Sequence, residues 1–145
     1  MQSIQRKSII DYGMEIARVV ATRSPDPYKK VGAVVIDSEN RIIACGYNGL
    51  APGFDPPLDF WENKEARKPF MIHAEINALS YIKRGEGHIL FCTLKPCVPC
   101  LLACIAHGIK TIWYDEDKPE MTESNEIARK YGISFNCLSS WKIKK

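Results

Sequence analysis

The chain has 145 residues, of which 46% are hydrophobic and 26% are charged, and its formal net charge is +3. This length and balance predict a single globular domain over residues 1–145 and are untypical of disordered or fibrous chains. The charge is too small to indicate a nucleic-acid partner, whereas an anionic small molecule fits it.

The start of the chain lacks the apolar stretch of a secretion signal, and no run is long enough to cross a membrane. We therefore predict a cytoplasmic protein without membrane contact. In a reducing cytoplasm the six cysteines would be thiols or metal ligands rather than disulfides. Four of them lie in apolar runs and are predicted to be small core residues: Cys45, Cys92, Cys104 and Cys137.

The first half of the chain predicts a helix, a hairpin and a loop. Helical spacing of apolar residues covers residues 3–23 and stops at a proline-rich segment, residues 24–27. Two β-branched runs, 31–36 and 42–47, flank a polar turn and predict a hairpin. Residues 48–71 are rich in proline and mixed charge, and they predict a long loop that carries function.

The second half alternates helices and strands. The predicted order is a helix from residue 72 to about 85, a strand over 88–94, a helix over 98–107, a strand over 111–114, a helix over 119–131, a strand over 133–138 and a frayed basic tail over 141–145. An initial hairpin followed by alternating strands and helices predicts an α/β fold in which a mixed sheet carries helices on both faces.

The pair of motifs His73-Ala74-Glu75 and Pro96-Cys97-Val98-Pro99-Cys100 points to a metal. Zinc prefers nitrogen and sulfur ligands in tetrahedral geometry, and a catalytic zinc keeps one of its four positions open for water. His73, Cys97 and Cys100 would fill three positions. Cys97 and Cys100 share one face at the start of a helix, whose positive end favours thiolates.

Glu75 is the predicted catalytic residue. Two thiolates cancel the formal charge of Zn²⁺, so the water that the metal activates needs a base. Positions two apart diverge on a helix, which directs Glu75 toward that water and away from the metal. The expected reaction is hydrolytic deamination of a cytosine-type base. Glu75 takes a proton from the zinc-bound water and delivers it to ring N3 of the base, the zinc hydroxide attacks C4, and Glu75 protonates the leaving amine.

Simpler explanations exist for each motif. Cys97-x-x-Cys100 alone could be a redox pair or half of a structural zinc site, and Glu75 could be a surface carboxylate. Their combination, with a proline before the first cysteine, is the signature of zinc nucleobase deaminases. We therefore favour the catalytic interpretation.

The chain resembles the deoxycytidylate (dCMP) deaminase family within the cytidine deaminase-like superfamily. Besides the two zinc motifs, the resemblance rests on the segment from Ser24 to Val34 and on Gly46-Tyr-Asn-Gly49. It implies a three-layer α-β-α fold around a five-stranded mixed sheet and one catalytic zinc per chain. The implied reaction converts dCMP, or a 5-substituted dCMP, to dUMP and ammonia.

Further properties follow from the same resemblance. It implies a homo-oligomer, commonly a hexamer, that dCTP with Mg²⁺ activates and dTTP inhibits. Ala51-Pro52 departs from the family's effector loop, where proline is expected at the first of these positions. This departure bears on regulation by dCTP and dTTP, whereas catalysis is expected to survive it. Two rival functions remain: a tRNA adenosine deaminase, which shares the zinc motifs, and a non-catalytic zinc-stabilised subunit.

The resemblance also assigns substrate contacts. Asn48 and Ala74 are expected to contact the nucleotide, and Ser24 and Lys30 to lie near its phosphate. Alternatively, Asn48 and Gly49 form an ordinary turn, Ser24 ends a helix and Lys30 is a solvated charge.

Other residues have more ordinary expected roles. Lys64, Arg67 and Lys68 could form an anion site between subunits, but solvated charges are the preferred interpretation. The aromatic residues of the same segment are expected to anchor a loop or an interface: Phe54, Phe60 and Trp61. Tyr114 is expected in the core.

Overall fold

The computed structural model of the protein describes residues 5–143, except for the side chain of residue 143. The strands are β1 (Gly32–Ile36), β2 (Ile42–Tyr47), β3 (Gly49–Leu50), β4 (Met71–Ile72), β5 (Ile89–Leu94), β6 (Thr111–Glu116) and β7 (Ser134–Cys137). The α-helices are α1 (Ile9–Ala21), α2 (Lys64–Arg67), α3 (Ala74–Leu79), α4 (Val98–Ala106), α5 (Thr122–Tyr131) and α6 (Leu138–Ile143).

Five strands form one mixed sheet in the order β2-β1-β5-β6-β7. β1 is antiparallel to both of its neighbours, β2 and β5, whereas β5, β6 and β7 run parallel. β3 and β4 form a separate two-stranded antiparallel pair. The mixed five-stranded sheet and the predicted hairpin are thereby confirmed.

Two apolar clusters cover the two faces of the sheet. One joins β1 and β5 to α1 and α6 through residues such as Met14, Phe91 and Leu138. The other packs α3, α4 and α5 against the opposite face, with Ala78 and Leu101 in its centre. Because β1 is buried along its whole length, it separates the two layers of helices.

Close backbone approach fixes α1 on the sheet. A Cβ atom added at Gly32 in β1 would lie 2.1 Å from the carbonyl oxygen of Ala17 in α1. Only glycine allows this contact, so α1 and β1 are held in direct backbone contact.

Several predicted helix boundaries and the predicted frayed tail were wrong; the helix predicted over 119–131, for example, begins at Thr122. The first helix begins at Ile9, because the hydroxyl of Ser8 accepts from the N–H of Asp11 and caps it; residues 3 and 4 lie outside the described residues. The helix after His73 ends at Leu79, where tighter turns replace it. A frayed tail was expected from residue 141, but residues 141–143 belong to α6. In this helix Leu138 is buried, and the Trp141 ring packs edge-on against Trp113. Residues 144 and 145 lie outside the described residues.

The segment over residues 48–71 is more ordered than predicted. It contains β3, α2, β4 and two turns of 3-10 helix. Phe54, Phe60 and Phe70 pack together with ring centroids 4.9 to 5.7 Å apart, and Trp61 contacts Phe60 edge-on. The aromatic residues thus anchor the segment.

The prediction for the four other cysteines was half correct. Cys92 and Cys104 are fully buried, but Cys45 is exposed on the edge strand β2 and Cys137 is half-buried. Alternation along an edge strand turns every second residue outward, and the composition of a strand does not reveal which face is covered. Tyr114 is buried as expected. Within residues 5–143 no helix has both the length and the apolar character of a membrane span.

Candidate metal centre

His73, Cys97 and Cys100 bring their ligand atoms together. The Nδ1 atom of His73 lies 3.1 Å from Sγ of Cys100 and 3.5 Å from Sγ of Cys97, and all three atoms lie within 4.8 Å of one another. Zn–N and Zn–S bonds of about 2.0 and 2.3 Å at a tetrahedral angle separate nitrogen from sulfur by about 3.5 Å. Two soft sulfurs and one imidazole at these distances fit a zinc ion.

His73 is placed by the junction of β4 and α3. It is the N-cap residue of α3, directly after the last residue of β4. The side-chain amide of Asn77 in α3 donates to the carbonyl oxygen of Tyr47 at the end of β2, 2.7 Å away. Gly46 lets α3 lie directly on β2, since an added Cβ would come within 2.5 Å of the N atom of Ala78.

The two cysteines are placed by the junction of β5 and α4. Cys97 is the N-cap residue of α4, and Cys100 lies in its first turn. The carbonyl oxygen of Pro96 accepts from the buried hydroxyl of Ser124 in α5, 3.1 Å away. The cysteine loop is therefore anchored to the neighbouring helix.

Glu75 is buried next to the ligand cluster. Only 4% of the residue is exposed, and it lines a cavity of about 210 Å³ together with His73, Ala74 and Cys97. Burial raises the pKa of the Glu75 carboxyl to about 7, against the opposing effects of a backbone N–H and the His73 imidazole. Glu75 can therefore exchange a proton near neutral pH.

The pKa values of the two cysteine thiols are shifted in opposite directions. A hydrogen bond from Cys100, with further help from His73, lowers the pKa of Cys97 to about 4 in spite of its burial. The Cys100 thiol has a raised pKa, because it donates to the Cys97 thiolate and is desolvated. A cation placed among the three ligand atoms would displace the remaining proton.

Asn48 borders the site and also holds its wall. Its side-chain oxygen accepts from the N–H of Val31, and its amide nitrogen donates to the carbonyl oxygen of Lys29, both at 2.8 Å. The residue is 8% exposed and lines both the small cavity and a larger neighbour of about 710 Å³. The Asn48 side chain therefore lies beside the ligand cluster and holds the backbone segment that leads into β1.

Ser24 and Lys30 bond to the backbone near Asn48. The buried hydroxyl of Ser24 donates to the carbonyl oxygen of Asn48 at 2.8 Å, and the ammonium of Lys30 donates to the carbonyl oxygen of Ser24. Ala74 is fully buried in the wall of the small cavity. Of the four expected substrate contacts, Asn48 and Ala74 thus line the cavity, while Ser24 and Lys30 bond to the segment that supports it.

The prediction of solvated charge was wrong for Arg67. This residue is 6% exposed and forms a 2.7 Å ion pair with the equally buried Asp26. Its guanidinium carbon lies 4.8 Å from the centroid of the Tyr28 ring. The pairing joins α2 to the segment before β1, and such a long-range contact leaves no pattern in the sequence. Lys64 and Lys68 are exposed, as expected.

Sequence reasoning missed two lysines at the site. Lys95 and Lys118 both line the small cavity, and Lys95 is only 4% exposed. The Lys95 ammonium donates to Oδ1 of Asn125 at 2.5 Å. The one available signal was the position of Lys95 directly before Pro96-Cys97, whereas Lys118 lies in a charged run that resembles an ordinary surface loop.

Comparison with known proteins decides the family. Residues 7–116 match the family model described as the cytidine and deoxycytidylate deaminase zinc-binding region. The chain belongs to this family. The mouse deoxycytidylate deaminase is 35% identical over 126 residues, which cover 82% of this chain and 71% of that protein. The probable deoxycytidylate deaminase of Drosophila melanogaster is also 35% identical, over 92% of this chain and 75% of that one.

A solved relative agrees with the whole architecture. The dCMP deaminase of cyanophage S-TIM5, crystallised with dCMP and dUMP, superposes with a TM-score of 0.75 and is 26% identical. The match covers 93% of this chain and all of that one. The cytidine deaminase-like fold expected from the motifs is thereby confirmed.

Proposed function

We propose that this protein is a zinc-dependent hydrolase that deaminates the cytosine base of dCMP to give dUMP and ammonia. The observation that carries the proposal is the meeting of three zinc-type ligand atoms and one buried carboxylate in a single cavity. Membership of a deaminase family, with deoxycytidylate deaminases among its relatives, supplies the reaction class.

His73, Cys97 and Cys100 would hold the zinc ion. Zinc bound there supplies a Lewis acid that lowers the pKa of water and so provides a nucleophile at neutral pH. Glu75 accepts a proton from the attacking water and donates it to ring N3 of the cytosine. It then takes the remaining proton from the hydroxyl group newly bonded to C4 and passes it to the amino group, which leaves as ammonia while the C4 carbonyl forms. In the metal-free protein burial raises the pKa of this carboxyl to about 7, so the group can both take up and release a proton.

The small cavity is the proposed site for the base. Ala74 and Asn48 lie in its wall, and the cavity excludes bulk water from Glu75, whose exposed fraction is 4%. We propose that Asn48 contacts the sugar or base while its amide holds the Lys29–Val31 backbone. Ser24 and Lys30, the other expected contacts, would act through the same segment.

Ammonia release from a panel of substrates tests the proposal. The panel contains dCMP, dCTP, deoxycytidine, CMP, a 5-substituted dCMP and a tRNA anticodon hairpin. We expect the highest kcat/KM for dCMP or its 5-substituted form and no release from the hairpin. Preferential deamination of the hairpin would replace the proposal with RNA editing, and no release from any substrate would favour a non-catalytic subunit.

Regulation and assembly form separate proposals that rest on the family. We propose a cytoplasmic homo-oligomer, a hexamer by analogy, that dCTP with Mg²⁺ activates and dTTP inhibits. Light scattering with and without these nucleotides measures the assembly, and dCMP rate curves measure the activation. A monomer with hyperbolic, dCTP-insensitive kinetics would refute both and leave the deaminase proposal standing.

A further inference from the structure

The larger cavity next to the base site carries a cluster of cationic side chains. Its lining includes Lys29, Lys64, Arg67, Lys68 and Lys118. It also shares Asn48, His73 and Lys118 with the small cavity, so the two spaces are contiguous. A ligand whose base fills the small cavity would extend its remaining groups into this one.

Two of the five cations are already neutralised by carboxylates in the same lining. Arg67 is paired with the buried Asp26 at 2.7 Å, and Lys29 is paired with Glu116. These two pairs hold the wall and leave little net charge for a ligand.

Of the three remaining cations in the lining, Lys118 differs from the other two in position. Lys64 and Lys68 are exposed, and each lines only the larger cavity, whereas Lys118 is half-buried and lines both. Within residues 5–143 no side chain forms a hydrogen bond or ion pair with the Lys118 ammonium. An unpaired, partly desolvated ammonium at the junction of two cavities is arranged to receive an anion.

The loop that carries Lys118 is held in place by contacts with the buried Lys95 ammonium. Lys118 follows β6, and its carbonyl oxygen lies 3.5 Å from the ammonium of the buried Lys95. Asp117 lies 3.5 Å from the same ammonium, and Asn125 accepts from it at 2.5 Å. Lys95 itself stands directly before the cysteine motif, so the position of Lys118 is fixed relative to the metal ligands.

We propose that Lys118 binds the 5′-phosphate of the substrate and thereby makes the enzyme select a nucleoside monophosphate over a nucleoside. The inference rests on the proposed function, because it takes the small cavity as the base site. A lysine ammonium is a compact point charge that suits a phosphate oxygen. This assignment moves the phosphate away from Ser24 and Lys30, whose side chains bond to backbone atoms of their own segment.

The test compares Lys118→Met with the parent protein in two assays. In the first, kcat/KM is measured for dCMP and for deoxycytidine, and the ratio of the two is expected to fall by about 10- to 100-fold. In the second, calorimetry measures binding of dUMP and deoxyuridine to the zinc-loaded protein. Lys118→Met is expected to weaken dUMP binding by a similar factor and deoxyuridine binding far less.

Matched variants separate this effect from general damage. Lys64→Met and Lys68→Met remove exposed cations from the same cavity and are expected to change the substrate ratio less than threefold. Lys118→Arg keeps the charge and is expected to retain most of the preference. Zinc content and thermal unfolding confirm that each variant is folded.

The outcomes distinguish the two proposals. Equal losses on dCMP and deoxycytidine, or dUMP binding that Lys118→Met leaves unchanged, would overturn the role of Lys118. Failure of the parent to deaminate either substrate would instead overturn the proposed function. In that case dUMP binding still decides the inference: tight binding that depends on both the phosphate and Lys118 supports it, and its absence refutes it.

Discussion

Glu75 combines burial with closeness to three potential metal ligands. Because it is not needed to hold the metal, Glu75→Gln should retain one zinc per chain and the fold of the parent. Loss of the proton carrier should lower kcat for dCMP by about 10³- to 10⁴-fold. Metal analysis, circular dichroism and single-turnover kinetics measure these quantities, and a Gln variant with parental turnover would contradict the assigned role.

The raised pKa of Glu75 predicts that the free energy of unfolding of the metal-free protein depends on pH. The folded state holds the proton up to about pH 7, whereas the unfolded chain releases it near the ordinary value of about 4.3. The free energy of unfolding should therefore fall as the pH rises between these values, by on the order of 3 kcal/mol.

Glu75→Gln should remove that slope. Urea unfolding in the presence of a chelator and a reductant, at pH values from 4 to 8, compares the two proteins. Below the lower pKa the variants should have similar stability, and above pH 7 the Gln variant should be the more stable. Parallel curves over the whole range would show that burial of this carboxylate carries no such cost.

At the scale of single residues, the sequence predicted the three candidate metal ligands that the fold brings together, and it missed their neighbours. His73, Glu75, Cys97 and Cys100 belong to short motifs, in which spacing along the chain already determines geometry. Arg67, Lys95 and Lys118 acquire their positions from partners more than 20 residues away, such as Asp26 and Asn125. No local pattern encodes such contacts.

At the scale of elements, the contact of α3 with β2 positions His73 and Glu75. Gly46→Ala would push a methyl group to within 2.5 Å of the N atom of Ala78 and 2.8 Å of the carbonyl oxygen of Ala74. We expect a loss of about 1–3 kcal/mol in stability and weaker zinc binding, because α3 must move.

Gly49→Ala is the matched control for that substitution. Its added Cβ would lie 3.4 Å from the nearest atom, in Pro25, which is ordinary contact. Thermal unfolding and zinc titration of both variants measure the difference. Equal behaviour of the two variants would show that close approach of α3 to β2 does not govern the metal centre.

The link between β5 and α5 gives a second prediction at this scale. Asn125→Ala removes the 2.5 Å partner of the buried Lys95 ammonium, and should cost about 1–3 kcal/mol. Glu126→Ala, on the same helix, breaks exposed pairs with Arg129 and Lys130 and should cost less than about 1 kcal/mol. Denaturant unfolding measures both, and equal costs would contradict the importance of the buried contact.

Strand and helix order followed from the sequence, while several boundaries did not. Period-two and helical patterns identified the main elements, because each has one covered face. The helix ends depended on a cap at Ser8 and on tight turns after Leu79. The short elements between residues 48 and 71 are too brief to show any period, so this segment was taken for a loop.

At the scale of the whole molecule, the candidate metal centre joins two segments that lie 24 to 27 residues apart in the sequence. His73 enters from the end of the two-stranded β3–β4 pair, and the cysteines enter from the end of β5 in the main sheet. A zinc ion would therefore cross-link β4–α3 to β5–α4, and its removal should lower the melting temperature. Calorimetric scans with and without chelator measure the shift, and an unchanged melting temperature would contradict a cross-linking role.

The most direct test of the proposed function is ammonia release from dCMP as metal-free protein is titrated with zinc. The rate should rise linearly, reach a plateau at one zinc ion per chain and stay near zero throughout for Glu75→Gln. Full activity without metal, or a zinc-loaded protein that leaves dCMP unchanged, would contradict it.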